Sequence, residues 1–515
     1  MAVFTDKKIL IIQQRNWAKR IGRFLARKLS EEGARLGTIT WKPKTHRFIV
    51  NQKEVVYELI QSLDEVREDP KKYLNGDHST LEEICKDLGV DSLWPYTVAL
   101  RNHVRTFKDK HFYSFRQNVS DEEIVFYIQA IYKMIVKVFN EFKPDIILTP
   151  NFVSLPHIML NIYARKRGVR TLATIDSKVR GITIFTENFN ADEGRFFDRF
   201  KELDSGTAES ESRQRARDYI KDFRAEFKKP TYLEDFERKQ KKTLWEKILY
   251  EIQPYYLTLS WYIKGLIPKL RVRRDIDRVK NLGPTIDWRP PKYILREHYA
   301  TKRYIRKTNS FPYHSLPKVG TFVYFPLQYQ PESTIDVNAP FFSNQIETAR
   351  LIAMSLPDDL TLVVKDHPAM VGYRTPSYLE KIARTPNVKL VDYRIPTRKL
   401  IEHACLIVSP NSTTVAEAAF YNKPAIQLGN LGTTLILPNV RKHTDMTTLQ
   451  KAIKESLVSN LHTEMYEKKL ENYVAAIFDT GFSFDYLGVW QHGRKQDLTP
   501  LFEVYKKEIL YTLKK

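Results

Sequence analysis

The chain has 515 residues, 42% hydrophobic and 12% aromatic, a composition that predicts folded domains and excludes an intrinsically disordered protein. Its formal net charge of +22 favours polyanionic neighbours such as nucleic acid, acidic lipid headgroups or phosphorylated substrates. Two cysteines, Cys85 and Cys405, are too few for a disulfide framework and predict a reducing, cytoplasmic location. No apolar run is long enough to predict a signal-peptide core or a transmembrane helix.

The first 190 residues alternate between apolar runs and amphipathic segments. The predicted strands are 8–13, 37–40, 145–149 and 169–175, and the predicted helices are 17–32, 121–142 and 155–166. A helix between two buried strands forms a right-handed βαβ unit, which implies a parallel sheet. Residues 1–190 are therefore predicted to form one doubly wound α/β domain, the acceptor side of the protein. Residues 51–120 give only weak helical signals.

Between residues 195 and 310 the strand signals disappear and charge-dense helical sequence follows. This window holds 29 Lys and Arg against 17 Asp and Glu, a surplus of 12 that exceeds half of the net charge of the chain. Residues 244–268 are amphipathic and rich in Trp and Tyr, and a basic cluster follows at 269–274. Two interpretations stay open: a helical insertion with a solvated basic face, and contact with an anionic membrane surface.

Residues 318–475 return to the α/β pattern and predict a second doubly wound domain, followed by a tail helix within 485–515. The predicted strands are 321–325, 361–365, 388–391, 406–408 and 425–428, with helices between them. Four of these strands end in polar or turn residues, at 326–332, 366–368, 409–414 and 429–432. If the strands are parallel, all four loops open on one edge of the sheet, where ligands bind in such folds.

Four residues in or just after these loops have types that suit a nucleotide site. His367 follows a buried strand, and an imidazole or imidazolium there can bind a phosphate oxygen. Ser412 or Thr413 can cap the following helix, whose amino-terminal end attracts phosphate. Glu417 can accept hydrogen bonds from a ribose diol, or it can serve as an acid near the start of the helix. Structural roles remain as alternatives for all of these residues.

Motifs for metals and common cofactors are absent from the sequence. There is no CxxC, no HExxH and no P-loop, and the turn after the first predicted strand lacks the glycines of a dinucleotide fingerprint. The acidic pair Asp275 and Asp277 lies in basic, helical sequence and is typical of a solvated face. We therefore expect neither a metal site nor a bound cofactor.

The sequence Lys-Asp-His-Pro at 365–368, followed by Ser-Pro-Asn-Ser-Thr-Thr-Val-Ala-Glu at 409–417, resembles bacterial capsule and surface polysaccharide glycosyltransferases of the Kdo-transferase-like group. Residues 325–332 are similar to the opening of that group's donor domain. The resemblance implies a GT-B fold, in which two doubly wound domains face a cleft, here with the basic helical insertion between them. It also implies metal-independent transfer from a nucleotide-activated, CMP-linked sugar. The implied donor-binding residues are Gln330, Lys365, His367, Pro368, Ser409, Asn411, Ser412, Thr413, Thr414 and Glu417.

Transfer to an acceptor hydroxyl needs a base, which we expect from the first domain. The candidates are Asp176, at the end of a predicted strand, and Glu187 beyond it, with His157 as a third. The favoured acceptor is a surface polysaccharide or a lipid-linked sugar at the inner face of the membrane. The enzyme alternatives are a sugar-nucleotide epimerase and a teichoic-type glycerophosphotransferase. A nucleic-acid-binding protein is the alternative from another class, but no nucleic-acid motif is present and none is expected as a partner.

Overall fold

Two six-stranded sheets form the centres of the protein. The computed structural model describes residues 3–100, 119–227, 243–267 and 291–515. The strand orders are β3-β2-β1-β4-β5-β6 in the first sheet and β12-β11-β10-β7-β8-β9 in the second. Each order reverses direction once, next to the first strand of its sheet, as in doubly wound α/β proteins. The predicted fold class, two doubly wound domains of GT-B type, is confirmed.

The first sheet is parallel except at one edge. Its strands are β1 (Lys8–Gln14), β2 (Arg35–Trp41), β3 (Leu59–Ser62), β4 (Ile146–Leu148), β5 (Arg170–Asp176) and β6 (Thr183–Thr186). β6 pairs with β5 in the antiparallel sense, with Ala173 opposite Thr186. The two edge strands β3 and β6 were not predicted, because four residues are too few to show a clear alternation.

Helices cover both faces of this sheet. They are α1 (Arg15–Trp17), α2 (Arg23–Glu31), α3 (Pro43–Asn51), α4 (Leu63–Glu68), α5 (Pro70–Leu74), α6 (Leu81–Leu88), α7 (Asp121–Phe142) and α8 (Leu155–Lys166). A π-helical turn, Ala18–Gly22, joins α1 to α2, so the predicted helix at 17–32 is not regular. α7 begins with the predicted capping box between Ser120 and Glu123 and packs its apolar face into the core.

Four helices follow before the second sheet. They are α9 (Arg195–Ser205), α10 (Arg213–Ala225), α11 (Leu244–Leu266) and α12 (Pro291–Asn309). α11 and α12 pack against each other. The basic cluster at 269–274 and the acidic pair Asp275 and Asp277 lie outside the described residues. Among the residues that are described, no helix is both long and apolar enough to cross a membrane.

All strand pairs of the second sheet are parallel. Its strands are β7 (Phe322–Pro326), β8 (Thr361–Lys365), β9 (Val388–Val391), β10 (Leu406–Ser409), β11 (Ala425–Gln427) and β12 (Val440–Lys442). The accompanying helices are α13 (Ser333–Asp336), α14 (Gln345–Met354), α15 (Pro376–Ala383), α16 (Thr397–His403), α17 (Thr413–Phe420), α18 (Gly432–Leu435) and α19 (Leu449–Leu457). The short edge strand β12 was not predicted.

The end of the chain links the two domains. α20 (Glu464–Thr480) packs with α9 and α10 in one apolar cluster beside the second sheet. The chain then returns to the first domain, where α21 (Thr499–Lys514) buries Phe502 and Tyr505 against the first sheet. The Trp17 indole donates to the Tyr486 hydroxyl at 2.6 Å. The predicted tail helix is thus part of the amino-terminal core.

Candidate functional site

Four loops meet at the carboxyl edge of the second sheet, as the parallel pairing requires. They follow β7, β8, β10 and β11, and the switch in strand order lies between β7 and β10. The Gln328 amide joins two of the loops across this switch by donating to the Ser409 hydroxyl at 3.3 Å. On the β10 side, the Leu428 N–H donates to the Ser409 carbonyl at 2.9 Å. The geometry therefore provides the crevice in which open α/β sheets bind ligands.

His367 lies at this edge as a neutral imidazole. Its Nδ1 accepts a hydrogen bond from the Ala369 N–H at 3.1 Å, so the ring proton is on Nε2. Burial, followed by the charges of Arg374 and Lys365, lowers the pKa of His367 to about 3. The imidazolium considered from the sequence is therefore not the form present at neutral pH. A neutral imidazole can still donate one hydrogen bond to an anion, through Nε2.

A buried ion pair supports the His367 loop. The Asp366 carboxylate pairs with Arg374, and the two side chains are 1% and 4% exposed. The same carboxylate accepts the His367 N–H at 2.7 Å, and Arg374 also donates to the Gln328 carbonyl of the loop after β7. Arg374 thus holds two of the four loops together. The sequence offered no signal for it, since it is one of many arginines and gains its role only through contacts.

Lys365 is hydrogen-bonded to the loop after β9 and the start of α16. Its ammonium donates to the Ile395 carbonyl at 3.0 Å and to the Thr397 hydroxyl at 2.8 Å, which uses two of its three N–H donors. Burial lowers the pKa of Lys365 to about 8, while the nearby Glu417 and Asp366 act in the opposite direction. Lys365 can therefore affect the site through its charge, whereas two of its three N–H groups donate to other parts of the protein.

Two predicted donor-binding amides tie the loops to each other. Asn411 is 1% exposed, donates to the Thr334 carbonyl at 2.7 Å and accepts from the Gln427 amide at 2.9 Å. Gln330 is 5% exposed, donates to the Ser343 carbonyl at 2.8 Å and accepts from Gln345 at 2.7 Å. The buried Ser409 belongs to the same set. These side chains shape the crevice, and their polar groups are satisfied within the protein.

The loop after β10 ends at the amino terminus of α17. Ser412 is the capping residue, and its hydroxyl accepts from the Thr414 N–H at 3.1 Å. The cap that the sequence allowed for Ser412 or Thr413 is therefore made by Ser412. Thr413 is half-buried and Thr414 is 6% exposed. The positive end of the helix faces the same edge as His367 and Pro368.

Glu417 lies one turn into α17, with 8% of its surface exposed. Burial raises its pKa to about 7, although the charges of Lys365 and Lys178 favour the ionised form. Lys178 comes from the first domain, in the loop after β5. The acid thus lies where the two domains meet, between a lysine from each.

The loop after β5 also carries Asp176. Its carboxylate pairs with Lys178 at 3.0 Å and is about half exposed, whereas the lysine side chain is 9% exposed. The Tyr473 hydroxyl anchors this loop to the second domain, since it donates to the carbonyls of Ser177 at 3.1 Å or Thr433 at 3.0 Å. Lys178 therefore relates the two acids at the domain boundary, because it pairs with Asp176 and its charge also acts on Glu417.

Glu187 lies elsewhere. Because β6 runs antiparallel to β5, the chain returns toward the amino end of β5, where Glu187 pairs with Arg170. Its side chain is 4% exposed and lies near Glu508 and Lys515 of the tail helix. The structure therefore places Glu187, the second candidate base, at the opposite end of β5 from Asp176.

His157 lies in the first turn of α8, after β4. The ring stacks on Trp41 at a centroid distance of 4.8 Å, and its Nδ1 lies 3.2 Å from the Ser154 hydroxyl. Burial lowers the pKa of His157 to about 3. Its Nε2 is buried without a hydrogen-bond partner among the described residues. Nor do those residues contain a cluster of His, Cys, Asp or Glu side chains that could hold a metal ion.

The raised pKa of Glu417 predicts a pH-dependent effect on stability. An acid whose pKa rises from 4.5 to about 7 on folding costs the folded state nothing below pH 4.5. Its destabilising effect grows between pH 4.5 and about 7, where the unfolded chain is ionised and the folded one is not, and levels off above pH 7 at about 3 kcal/mol. We therefore compare the free energy of unfolding of Glu417→Gln with that of the natural protein by urea unfolding. The difference in favour of the variant should be about 3 kcal/mol larger at alkaline than at acidic pH. A difference that stays constant with pH would contradict this.

The comparisons with known proteins cover the segment that carries these loops. The family model described as capsule polysaccharide biosynthesis protein matches residues 212–431, which include the loops after β7, β8 and β10. No curated protein matches the sequence.

Three solved structures are among those to which the chain is similar. The Thermosulfurimonas dismutans β-Kdo 2,7-transferase KpsC is 11% identical, with 74% of this chain and 90% of that chain covered and a TM-score of 0.30. UDP-GlcNAc 2-epimerase from Neisseria meningitidis is 12% identical, with coverages of 92% and 99% and a TM-score of 0.25. A putative UDP-N-acetylglucosamine 2-epimerase from Listeria monocytogenes is 9% identical, with coverages of 96% and 99% and a TM-score of 0.23. These likenesses are too distant to assign an activity.

The matched segment contains both motifs on which the resemblance was based, at 365–368 and 409–417. Residues 212–431 thus match the model of the capsule polysaccharide biosynthesis proteins, and the predicted resemblance to the glycosyltransferases of that group is confirmed.

Proposed function

We propose that the protein transfers a sugar from a nucleotide-activated donor, CMP-linked by the resemblance, to a polysaccharide or lipid-linked acceptor in capsule synthesis. The observation that carries this proposal is the convergence of His367 and the amino terminus of α17 on the switch point of the second sheet. A lipid-linked acceptor would bring the enzyme to the inner face of the membrane.

The donor phosphate would lie between His367 and α17. The Nε2–H of the neutral imidazole donates to a phosphate oxygen, and the helix dipole of α17 stabilises the negative charge that grows as the nucleotide leaves. Glu417, one turn further along α17, would contact the nucleoside. Ser409, Asn411 and Gln330 would act through the loops that they hold.

Asp176 is the base that we propose. In the transfer, its carboxylate takes the proton of the acceptor hydroxyl, the oxygen forms a bond to the anomeric carbon, and the bond from that carbon to the donor phosphate breaks. The ion pair with Lys178 orients the carboxylate at the domain boundary. Normal turnover of Asp176→Asn with intact donor binding would exclude this role.

A nucleotide panel tests the donor site. We expect CMP or a CMP-sugar at about 100 times its dissociation constant to stabilise the protein by about 2.7 kcal/mol, seen as a raised melting temperature. UDP and its sugars identify the nucleobase of the donor, because only the matching nucleotide should protect the protein against thermal unfolding. If none of these nucleotides protects the protein, the transferase proposal loses its donor site.

A further inference from the structure

One helix exposes an apolar face of unusual extent. On α11, eight apolar side chains are each at least 55% exposed: Leu244, Trp245, Leu249, Ile252, Tyr256, Leu259, Tyr262 and Leu266. At 3.6 residues per turn they fall within an arc of about 140°. They form a continuous stripe along a helix of 23 residues, which we call the α11 face. Apolar stripes of this width are normally buried against another surface.

The opposite side of α11 is the side that packs on the protein. Pro254 is buried there, and Glu251 pairs with Lys302 and lies 3.3 Å from His298 of α12. α12 in turn packs on the second domain, where a Cβ on Gly372 would lie 2.8 Å from Cγ1 of Ile305. α11 is therefore held in place through α12, which also reaches the edge of the α11 face, where the Tyr255 and Tyr299 hydroxyls are hydrogen-bonded. The eight side chains of the face itself stay largely exposed.

The charge around this face identifies its partner. In the sequence, four of the five residues at 238–242 before α11 are Lys or Arg, as are four of the six at 269–274 after it. The second half of α12 adds Lys302, Arg303, Arg306 and Lys307. A symmetric contact between two copies would bring these like charges together. An anionic bilayer instead offers an apolar interior to the stripe and phosphates to the basic residues.

We propose that the α11 face lies in the surface of an anionic membrane, with its apolar side chains at the level of the acyl chains. Trp245 and Tyr256 are of the types that favour the headgroup region. Since α12 contacts Gly372, five residues after His367, this orientation would also place the donor loops close to the bilayer. The inference does not depend on the transferase activity, because membrane binding needs neither nucleotide nor acceptor.

Sedimentation with vesicles tests this proposal on the full chain. The vesicles contain phosphatidylglycerol and phosphatidylcholine in equal parts, or phosphatidylcholine alone. We expect binding to the anionic vesicles that weakens with salt, and a loss of about tenfold or more in the partition coefficient for Ile252→Glu with Leu259→Glu. The matched control is Val458→Glu with Met465→Glu, which adds the same charge at exposed apolar residues of the second domain and should bind as the natural protein does.

Three results would overturn the proposal. The first is absence of binding to anionic vesicles by the natural protein, and the second is equal binding by the α11 double variant. The third is a dimer of the natural protein that the α11 double variant converts to a monomer without any vesicle binding, which would show that a second copy covers the face. Circular dichroism and the melting temperature establish that both double variants are folded.

Discussion

His367→Ala should abolish donor binding and lower turnover about 100-fold or more, while the protein stays folded. The variant removes the Nε2–H donor that we place on the donor phosphate, and the ring is only half-buried, so little packing is lost. In the natural protein, His367 should remain neutral across about pH 5 to 8, because its pKa is lowered to about 3. The contribution of His367 to donor binding should therefore not vary over this range.

Isothermal titration with the nucleotide found in the panel measures this loss directly. His403→Ala is the matched control, since His403 belongs to the same domain, is exposed in α16 and bonds only to its own helix through the Lys399 carbonyl in the described structure. It should bind nucleotide normally. If His367→Ala binds nucleotide as tightly as the natural protein, the donor site is not at the edge where His367 lies.

Arg374→Met should destabilise the protein by about 3–5 kcal/mol. The substitution leaves the Asp366 carboxylate buried, at 1% exposure, without its cation and with one oxygen already lacking a partner among the described residues. It also removes the donor to the Gln328 carbonyl, so the loops after β7 and β8 lose their common support. Urea unfolding at neutral pH measures the change in the free energy of unfolding.

Two further variants separate this effect from a general loss of charge. Arg350→Met breaks an exposed pair with Glu347 and should change stability by less than about 1 kcal/mol. The double variant Arg374→Met with Asp366→Asn removes both charges and should recover most of the lost stability, because an amide costs less to bury than an unpaired carboxylate. A double variant as unstable as the single one would show that the ion pair is not the cause.

Local sequence patterns were sufficient to locate the longer elements. The helix at 155–166 has the predicted bounds, and α7 begins at its capping box, because apolar periodicity and capping residues act within a few turns. The four polar strand ends of the second domain were also visible, since each follows a continuous apolar run. The family motifs at 365–368 and 409–417 lie in two of these loops and by themselves indicate the kind of protein.

The division of roles within the site depends on contacts between distant parts of the chain. Asn411 and Gln330 carry side chains typical of a binding loop, but folding places their partners so that both amides are satisfied internally. Arg374 gains its role only because Asp366 is buried beside it.

By itself the sequence determined the two α/β layers, the loops that end the strands and the resemblance to capsule polysaccharide glycosyltransferases. Only the tertiary structure decided whether Asp176 or Glu187 lies at the domain boundary, because the direction of β6 depends on its pairing with β5 and not on local preference. That pairing turns Glu187 away and leaves Asp176 with Lys178 beside Glu417. The pKa of Glu417 is likewise a tertiary property, since burial and two lysines from different domains set it together.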